Sequence, residues 1–340
     1  MSGKRPSIPA QLEKRDPSLE TILDLIKEHE RFALTTHLSP EGDAIGSTLA
    51  LRLILRRLGK EALIVMQDPV PQSLKFLKGA EGIKGPRDLP EGFDPQLWFV
   101  LDCASFERVG EQVKRLIERT GKPIINIDHH VSNPGFGQIN YLRQAAATAQ
   151  LIFQLSLALK LNDPEIATAL YAGLVADTDA FRNANTDAQA LRDAAALLEQ
   201  GAKAHEVIVN LYERRTPGEL RLLGHALLHA HLDGGIIWAE LPLEVFARLG
   251  ALPHETEHLV DELRTVEGVK VAVLFKELEG GRVKVSFRAK EGLKVNELAQ
   301  SFGGGGHEQA AGCLLSGELA EVERLVLEEL KRRLDAHRSG

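Results

Sequence analysis

Cysteine is scarce: Cys103 and Cys313 are the only two in 340 residues. Two thiols so far apart build no sulfur-rich metal site and fit a reducing compartment. A basic excess is also missing, since the formal net charge is −7. A non-specific binder of duplex nucleic acid carries a basic footprint over its whole domain. Any nucleic-acid contact here is therefore expected to be local, and acids gathered around cations would hide such a site from a charge count. No stretch approaches ~20 uninterrupted apolar residues, so no membrane-spanning helix is expected. The opening MSGKRPSIPAQLEKRDPS has no apolar core of signal-peptide length. Together these absences point to a cytoplasmic protein without a membrane partner.

What is present suffices for a folded core. Hydrophobic residues make up 44% of the chain, and its length suits two domains. Residues 1–18 read as a loose tail. FALTTH (32–37), EALIVM (61–66), LWFVLDC (97–103) and PIINIDHH (123–130) read as buried strands. Helical patterns such as DAIGSTLALRLILRRLG (43–59) and ERVGEQVKRLIERTG (107–121) alternate with them. Alternation of this kind argues for a mostly parallel sheet covered on both faces. Helices dominate from 145 to 230, and TDAQALRDAAALLEQGA (186–202) is expected to start on an N-cap Thr. From about 232, alternating strands joined at Glu279-Gly280-Gly281 give a hairpin signal. The expected fold class is α/β. A mostly parallel N-terminal domain (19–185) is joined by a helical linker (186–230) to a smaller α+β domain (231–338).

Chemistry-bearing residues collect at element ends. His37 to Asp43 follow the first strand, Asp102 ends the third, Asp128-His129-His130 end the fourth, and Asp177 ends an apolar helix. In an open α/β sheet, ligands bind outside the carboxyl ends of the strands, so several strands deliver Asp or His to one edge. Imidazoles with carboxylates and no thiolate suit Mn²⁺, Fe²⁺, Co²⁺ or Mg²⁺ better than a structural zinc. Clustered carboxylates repel one another and raise one another's pKa, a cost that cations remove. More than four candidate ligands suggests two ions, a standard device for displacement at phosphorus. Each residue taken singly is more often a cap or turn residue; convergence on one edge is what favours metal. In the second domain, Gly303-Gly304-Gly305-Gly306-His307 could let backbone N–H groups approach a phosphate, with Arg288 reaching the same anion.

These segments resemble the DHH phosphoesterases. HLSPEGDAIGS, Asp102, IDHHVSN and Asp177-Thr178 look like the family's four motifs in order, and SFRAK with GGGGHEQAAG looks like its DHH-associated C-terminal domain. The layout is most similar to the nanoRNase type, bifunctional oligoribonucleases and 3′-phosphoadenosine 5′-phosphate (pAp) phosphatases. The resemblance implies two divalent cations, Mn²⁺ first, with Mg²⁺ or Co²⁺ as substitutes. One would be held by His37, Glu41 and Asp102, the other by Asp43, Asp102, His129 and Asp177. His130 would contact phosphate and Asp128 would orient a neighbouring His. Arg108, Arg288, the glycine run 303–306 and His307 would bind substrate. The implied partners are short single-stranded RNA or DNA oligonucleotides and pAp, and a homodimer is compatible with the pattern. Glu41 stands where the family usually has Asp, and Glu308 where relatives often carry a basic residue.

Other readings remain open at this point. A RecJ-like single-strand DNA exonuclease, a manganese pyrophosphatase, a dinucleotide phosphodiesterase and a nucleotide sensor weakened at Glu41 are the alternatives. His254-Glu255-Thr256-Glu257-His258 formally matches the zinc-protease HExxH. It is expected on a short surface helix opened by Pro253, without a third ligand. His225, His229 and His231 read as a helix end, and Cys103 as buried packing.

Overall fold

The computed structural model describes residues 16–90, 92–256, 258–290 and 293–338, with backbone alone for 307 and 335–338. Most of the expected tail therefore lies outside the described residues. The chain divides into two compact units, residues 1–214 and 215–340.

The first unit runs α1 (Pro17–Glu28), β1 (Arg31–Thr35), α2 (Gly42–Arg57), β2 (Glu61–Ile64), β3 (Leu97–Leu101), α3 (Glu111–Thr120), β4 (Ile124–Asp128), β5 (Ile139–Leu142), α4 (Thr148–Ala158), α5 (Pro164–Asp177), α6 (Ala188–Glu199) and α7 (Ala204–Tyr212). Its five strands are all parallel, in the order β2-β1-β3-β4-β5. Every residue of β3 and β4 is buried, as the apolar runs anticipate for a sheet covered on both faces. Two elements go beyond the sequence expectation. One is α1, which Asp16 caps by accepting from the Ser18 N–H; the other is the short edge strand β5. The N-cap of α6 is Asp187, not the neighbouring Thr186.

The closest helix contact sets where the site stands. Along α2, Gly42 and Gly46 recur one turn apart, and they face α5. A Cβ on Gly42 would lie 2.2 Å from the Ala176 Cβ; one on Gly46 would lie 2.4 Å from the Ala169 carbonyl oxygen. As residue numbers rise on α2 they fall on α5, so the helices are antiparallel. The start of α2, carrying Asp43, thus meets the end of α5, carrying Asp177.

The second unit runs α8 (Pro217–Leu228), β6 (His231–Asp233), β7 (Ile236–Leu241), α9 (Leu243–Leu249), α10 (Leu259–Arg264), β8 (Val271–Leu278), β9 (Arg282–Ala289), α11 (Val295–Ser301), β10 (Gly305–His307), β11 (Ala310–Ser316) and α12 (Leu319–Arg338). Its sheet order is β10-β11-β9-β8-β7-β6, with β7 and β8 the one parallel pair. Alternation places Val273, Phe275, Val285 and Phe287 in a core shared with Leu298 and Val326. Ala239 and Leu274 join a separate core with Leu222, Val245 and Leu263. Gly280 and Gly281 take positive φ of 78° and 64° in the β8–β9 turn, the hairpin that the sequence signals. The expected linker 186–230 does not stand alone. Ala190, Leu197 and Val207 belong to the first unit's core, whereas Leu222 and Ala226 belong to the second unit's.

Replacing Gly46 by Ala should destabilise the chain by about 1–3 kcal/mol, because the new methyl meets a backbone carbonyl that cannot swing away. Urea unfolding measures this, and an unchanged midpoint contradicts the close-packed helix pair.

Candidate metal centre

His37, Asp102 and Asp128-His129-His130 stand at the carboxyl ends of β1, β3 and β4, the edge where an open sheet binds ligands. Asp43 enters from the first turn of α2 and Asp177 from the last residue of α5. The structure brings these side chains together. Asp102 Oδ2 lies 3.7 Å from His37 Nε2, and its Oδ1 lies 3.5 Å from His129 Nε2. His129 Nε2 is also 3.7 Å from Asp177 Oδ2. Ligand atoms of Asp43, His129 and Asp177 all fall within 4.8 Å of one another, as do those of Asp102, Asp128, His129 and His130. Glu41 joins neither cluster; it is the exposed N-cap of α2. Its charge does reach the centre, where it helps raise Asp177.

Backbone carbonyls orient the histidines. His37 Nδ1 is 2.7 Å from the Leu38 carbonyl oxygen, and His129 Nδ1 is 3.1 Å from that of Ala145. With Nδ1–H donating there, Nε2 is the nitrogen left facing the acids, and deprotonated it is the one a metal ligand needs. His130 Nδ1 is 2.7 Å from Asp128 Oδ1. Asp128 is fully buried and also accepts from the His129 N–H and from Asn133 Nδ2. It therefore aims His130 and faces inward, away from solvent. Asp102 has φ of +51°, a left-handed conformation costly for a residue with a Cβ and typical of functional sites.

The electrostatics are those of a cage short of positive charge. Burial and the neighbouring Asp102 push Asp43 up to about 6, against the pull of His129. Burial and Asp43 push Asp177 up to about 8. Burial disfavours protonation of His129, yet Asp43, Asp177 and Asp102 outweigh it and raise it to about 9. Burial would raise Asp102 too, but His37, His129 and His130 hold it down at about 2. Buried carboxylates that repel one another while histidines lean towards them suit divalent cations, and this donor set of imidazole nitrogen and carboxylate oxygen fits such ions.

Thr148 lies outside the residues the sequence singles out. Its backbone N–H donates to Asp43 Oδ2 at 2.5 Å, and its hydroxyl donates to Asp102 Oδ1 at 3.0 Å. The next N–H, of Ala149, donates to Asp43 Oδ1 at 2.9 Å. The free N–H groups at the start of α4 thus hold Asp43, as a helix N-terminus holds any anion. Asn185 Nδ2 likewise bridges the Asp177 carboxylate and the Ala146 carbonyl. The only cue to either is its residue type: a Thr opening a helix and an Asn in a loop.

The expected substrate residues fall in both units. Arg108 Nη2 sits 3.5 Å from His37 Nδ1, and among the described residues no carboxylate pairs with it. In the second unit Arg288 Nε donates to Asp261 Oδ1 at 2.9 Å. The glycine run is no linker: Gly305–His307 pairs with Ala310–Gly312 as β10 and β11. The His307 side chain lies outside the described residues. Residues 253–256 form turns and the helix begins only at Leu259. His254 and His258 therefore do not share the helix face that HExxH requires; Glu257 lies outside the described residues. Cys103 is buried, its thiol pushed up to about 12 chiefly by that burial.

The pKa values have one consequence for stability. Asp43 and Asp177 titrate higher folded than unfolded, so each stabilises the metal-free chain at acid pH and ceases to as pH passes about 6 and about 8. His129 has the same sign, its contribution fading as pH rises through about 9. The metal-free chain should therefore unfold at progressively lower urea between about pH 5 and about pH 9, and a divalent cation at the alkaline end should reverse the fall. A flat metal-free profile contradicts the cage.

The sequence matches the DHH family N-terminal domain over residues 31–174 and the DHHA1 domain over residues 242–336. It is 38% identical over 308 residues to the bifunctional oligoribonuclease and PAP phosphatase NrnA of Thermus thermophilus, covering 88% of this chain and 89% of that protein. It is 28% identical to the protein of the same name from Bacillus subtilis, covering 86% and 91%. Among solved structures, an exopolyphosphatase-related protein from Bacteroides fragilis superposes with a TM-score of 0.88 at 22% identity, covering 95% of this chain and all of that one. RecJ of Thermus thermophilus superposes with 0.51 at 16% identity, covering 93% of this chain and 52% of that one. Two ordered domain matches, a relative alike along most of both lengths and a cage of acids and histidines at the sheet's carboxyl edge agree: the chain belongs to the DHH family of phosphoesterases, hydrolases of phosphate esters, and carries its DHHA1 domain.

Proposed function

We propose that this phosphoesterase hydrolyses short oligonucleotides to mononucleotides and converts pAp to AMP in the cytoplasm, using two divalent cations, Mn²⁺ first. The carrying observation is the placement of Asp102: one oxygen faces His37 and the other faces His129. A carboxylate so shared is suited to bridge two ions. One would rest on His37, Asp102 and, after a side-chain swing, Glu41; the other on Asp43, Asp102, His129 and Asp177. The names of the Thermus and Bacillus relatives support the substrate class.

Bound cations would supply charge neutralisation at phosphorus and a nucleophile available at neutral pH. The chain's own groups do the rest. His130, oriented through its Nδ1 by Asp128, would contact a phosphoryl oxygen. Arg108 offers a guanidinium beside His37. In the second unit, Gly303, Gly304, Gly305, Gly306, His307 and Arg288 would bind substrate. The glycines divide by reason. Gly303 has φ of +75°, and Cβ atoms on Gly304 and Gly306 would collide with the Gly312 and Ala310 carbonyl oxygens. A Cβ on Gly305 would meet nothing within 4 Å, so the fold does not demand glycine there, and close approach of a phosphate gives a reason for it.

Purified chain with Mn²⁺ should degrade short single-stranded RNA and dephosphorylate pAp. Asp102→Asn should abolish both reactions and Mn²⁺ binding; turnover near wild type in that variant refutes the shared-ligand reading. Thr148→Val, which deletes the hydroxyl on Asp102, should weaken Mn²⁺ binding about 10- to 100-fold, as loss of a ligand's supporting hydrogen bond does, with Thr148→Ser retaining it. Calorimetric Mn²⁺ titration of both variants decides, and unaltered affinity in Thr148→Val denies Thr148 any part in holding the metal.

A further inference from the structure

One face of the second unit's sheet is only half covered. Its β7 and β8 residues Ile237, Ala239, Leu241, Ala272 and Leu274 lie in the core beneath α8, α9 and α10. In register with them, β9 presents Arg288, Ser286, Lys284 and Arg282, and β11 presents Ala310, Gly312, Leu314 and Ser316. These positions are not core. Lys284, Arg282 and Ser316 are exposed, Ser286 and Gly312 are half-buried, and Leu314 keeps 50% of its surface. No Asp or Glu occupies any of these eight alternating positions. Among the described residues Lys284 has no ion pair, whereas Arg288 is tied to Asp261.

We propose that this open half-face is a track for the phosphodiester backbone of a single-stranded oligonucleotide. It leads away from Arg288 and Gly305, with Lys284 as a phosphate contact and Leu314 as an apolar rest for a base. The inference rests on the substrate class proposed above and extends it to the length of chain engaged. Charge complementarity commits the face to a polyanion: Asp261 is spent on Arg288, and Lys284 and Arg282 remain as cations without an ion pair among the described residues. Spacing favours an extended strand: alternate residues of a β-strand repeat every ~6.7 Å, close to the phosphate repeat of an extended nucleic acid. Lys284 stands about 13 Å along β9 from Arg288, beyond the reach of pAp held at Arg288 and within that of a longer chain. Lys284 and Leu314 are direct cross-strand partners, so one position offers a cation and an apolar surface side by side. Single-strand binders combine the same two elements, a cationic groove and apolar platforms.

The test measures binding apart from turnover. The anisotropy of a fluorescein-labelled tetraribonucleotide is followed with the full-length, metal-free chain across a salt series. Lys284→Ala should raise Kd about tenfold, the loss of one charge-assisted hydrogen bond. It should also flatten the slope of log K against log salt by about 0.7, one phosphate contact on a single strand. Lys284→Arg should keep both values. With Mn²⁺ present, the kcat/KM of the variant on the tetranucleotide relative to that on pAp should fall in parallel. An unchanged Kd and slope in Lys284→Ala, or no binding by the wild type, overturns the track. A wild type that binds through Lys284 yet cleaves neither RNA nor pAp upholds the track and refutes the proposed function.

Discussion

Repulsion among buried carboxylates is the constraint around which the first unit is arranged. Asp43 and Asp102 are almost wholly buried, and with Asp177 they crowd a space that holds His129 as well. Such a cluster costs several kcal/mol per uncompensated charge, so the fold must hold it by force. It does so with the most rigid means available to a chain: strand ends, helix termini and a glycine-mediated helix contact. The α2–α5 pair has no room for adjustment, since a methyl on Gly173 would come within 2.9 Å of Asp43 Oδ1. The same stiffness that makes the empty cage unfavourable keeps its ligand atoms in place for cations.

The supporting hydrogen bonds follow one logic. Each acid or imidazole in the cage has one face turned inward and the other fastened to backbone or to a small polar side chain. Leu38 and Ala145 carbonyls fix two histidines, the start of α4 fixes Asp43, Thr148 fixes Asp102, and Asn133 fixes Asp128, which fixes His130. None of these partners is itself strongly charged except Asp128. The cage's charge imbalance is thus left for a cation to settle: Arg108 stands beside His37, but among the described residues it pairs with none of the cage's acids.

Much of the cage is legible in the amino-acid sequence. Buried parallel strands write themselves as apolar runs, and a residue just past such a run falls on the ligand-binding edge; His37, Asp102 and Asp128 to His130 can be placed by that rule alone. Asp177 stands out because it ends a long apolar helix. What the sequence hides are features defined by distance in space. Thr148 and Asp102 are 46 positions apart, and Thr148 and Asp43 are 105 apart. The α1 helix has a readable signal in Asp16-Pro17 and in buried Leu19, Ile22, Leu23 and Ile26, but it begins inside the segment expected to be a loose tail. The expected linker divides between the two units because amphipathic helices show that they pack, not against which domain. The HExxH match fails for a local reason: Glu255 accepts from the Leu252 N–H and the Thr216 hydroxyl, which serves a turn where a helix is expected.

If distant segments of the first unit cage a pair of cations on one shared aspartate, the ions themselves must be visible there. Anomalous diffraction at the manganese edge, from crystals grown with Mn²⁺, locates them without reference to activity. Two peaks about 3.5–4 Å apart are expected, with Asp102 between them, His37 on one and His129 with Asp43 and Asp177 on the other. An empty cage under saturating Mn²⁺, or ions bound without Asp102, would refute the shared-aspartate centre.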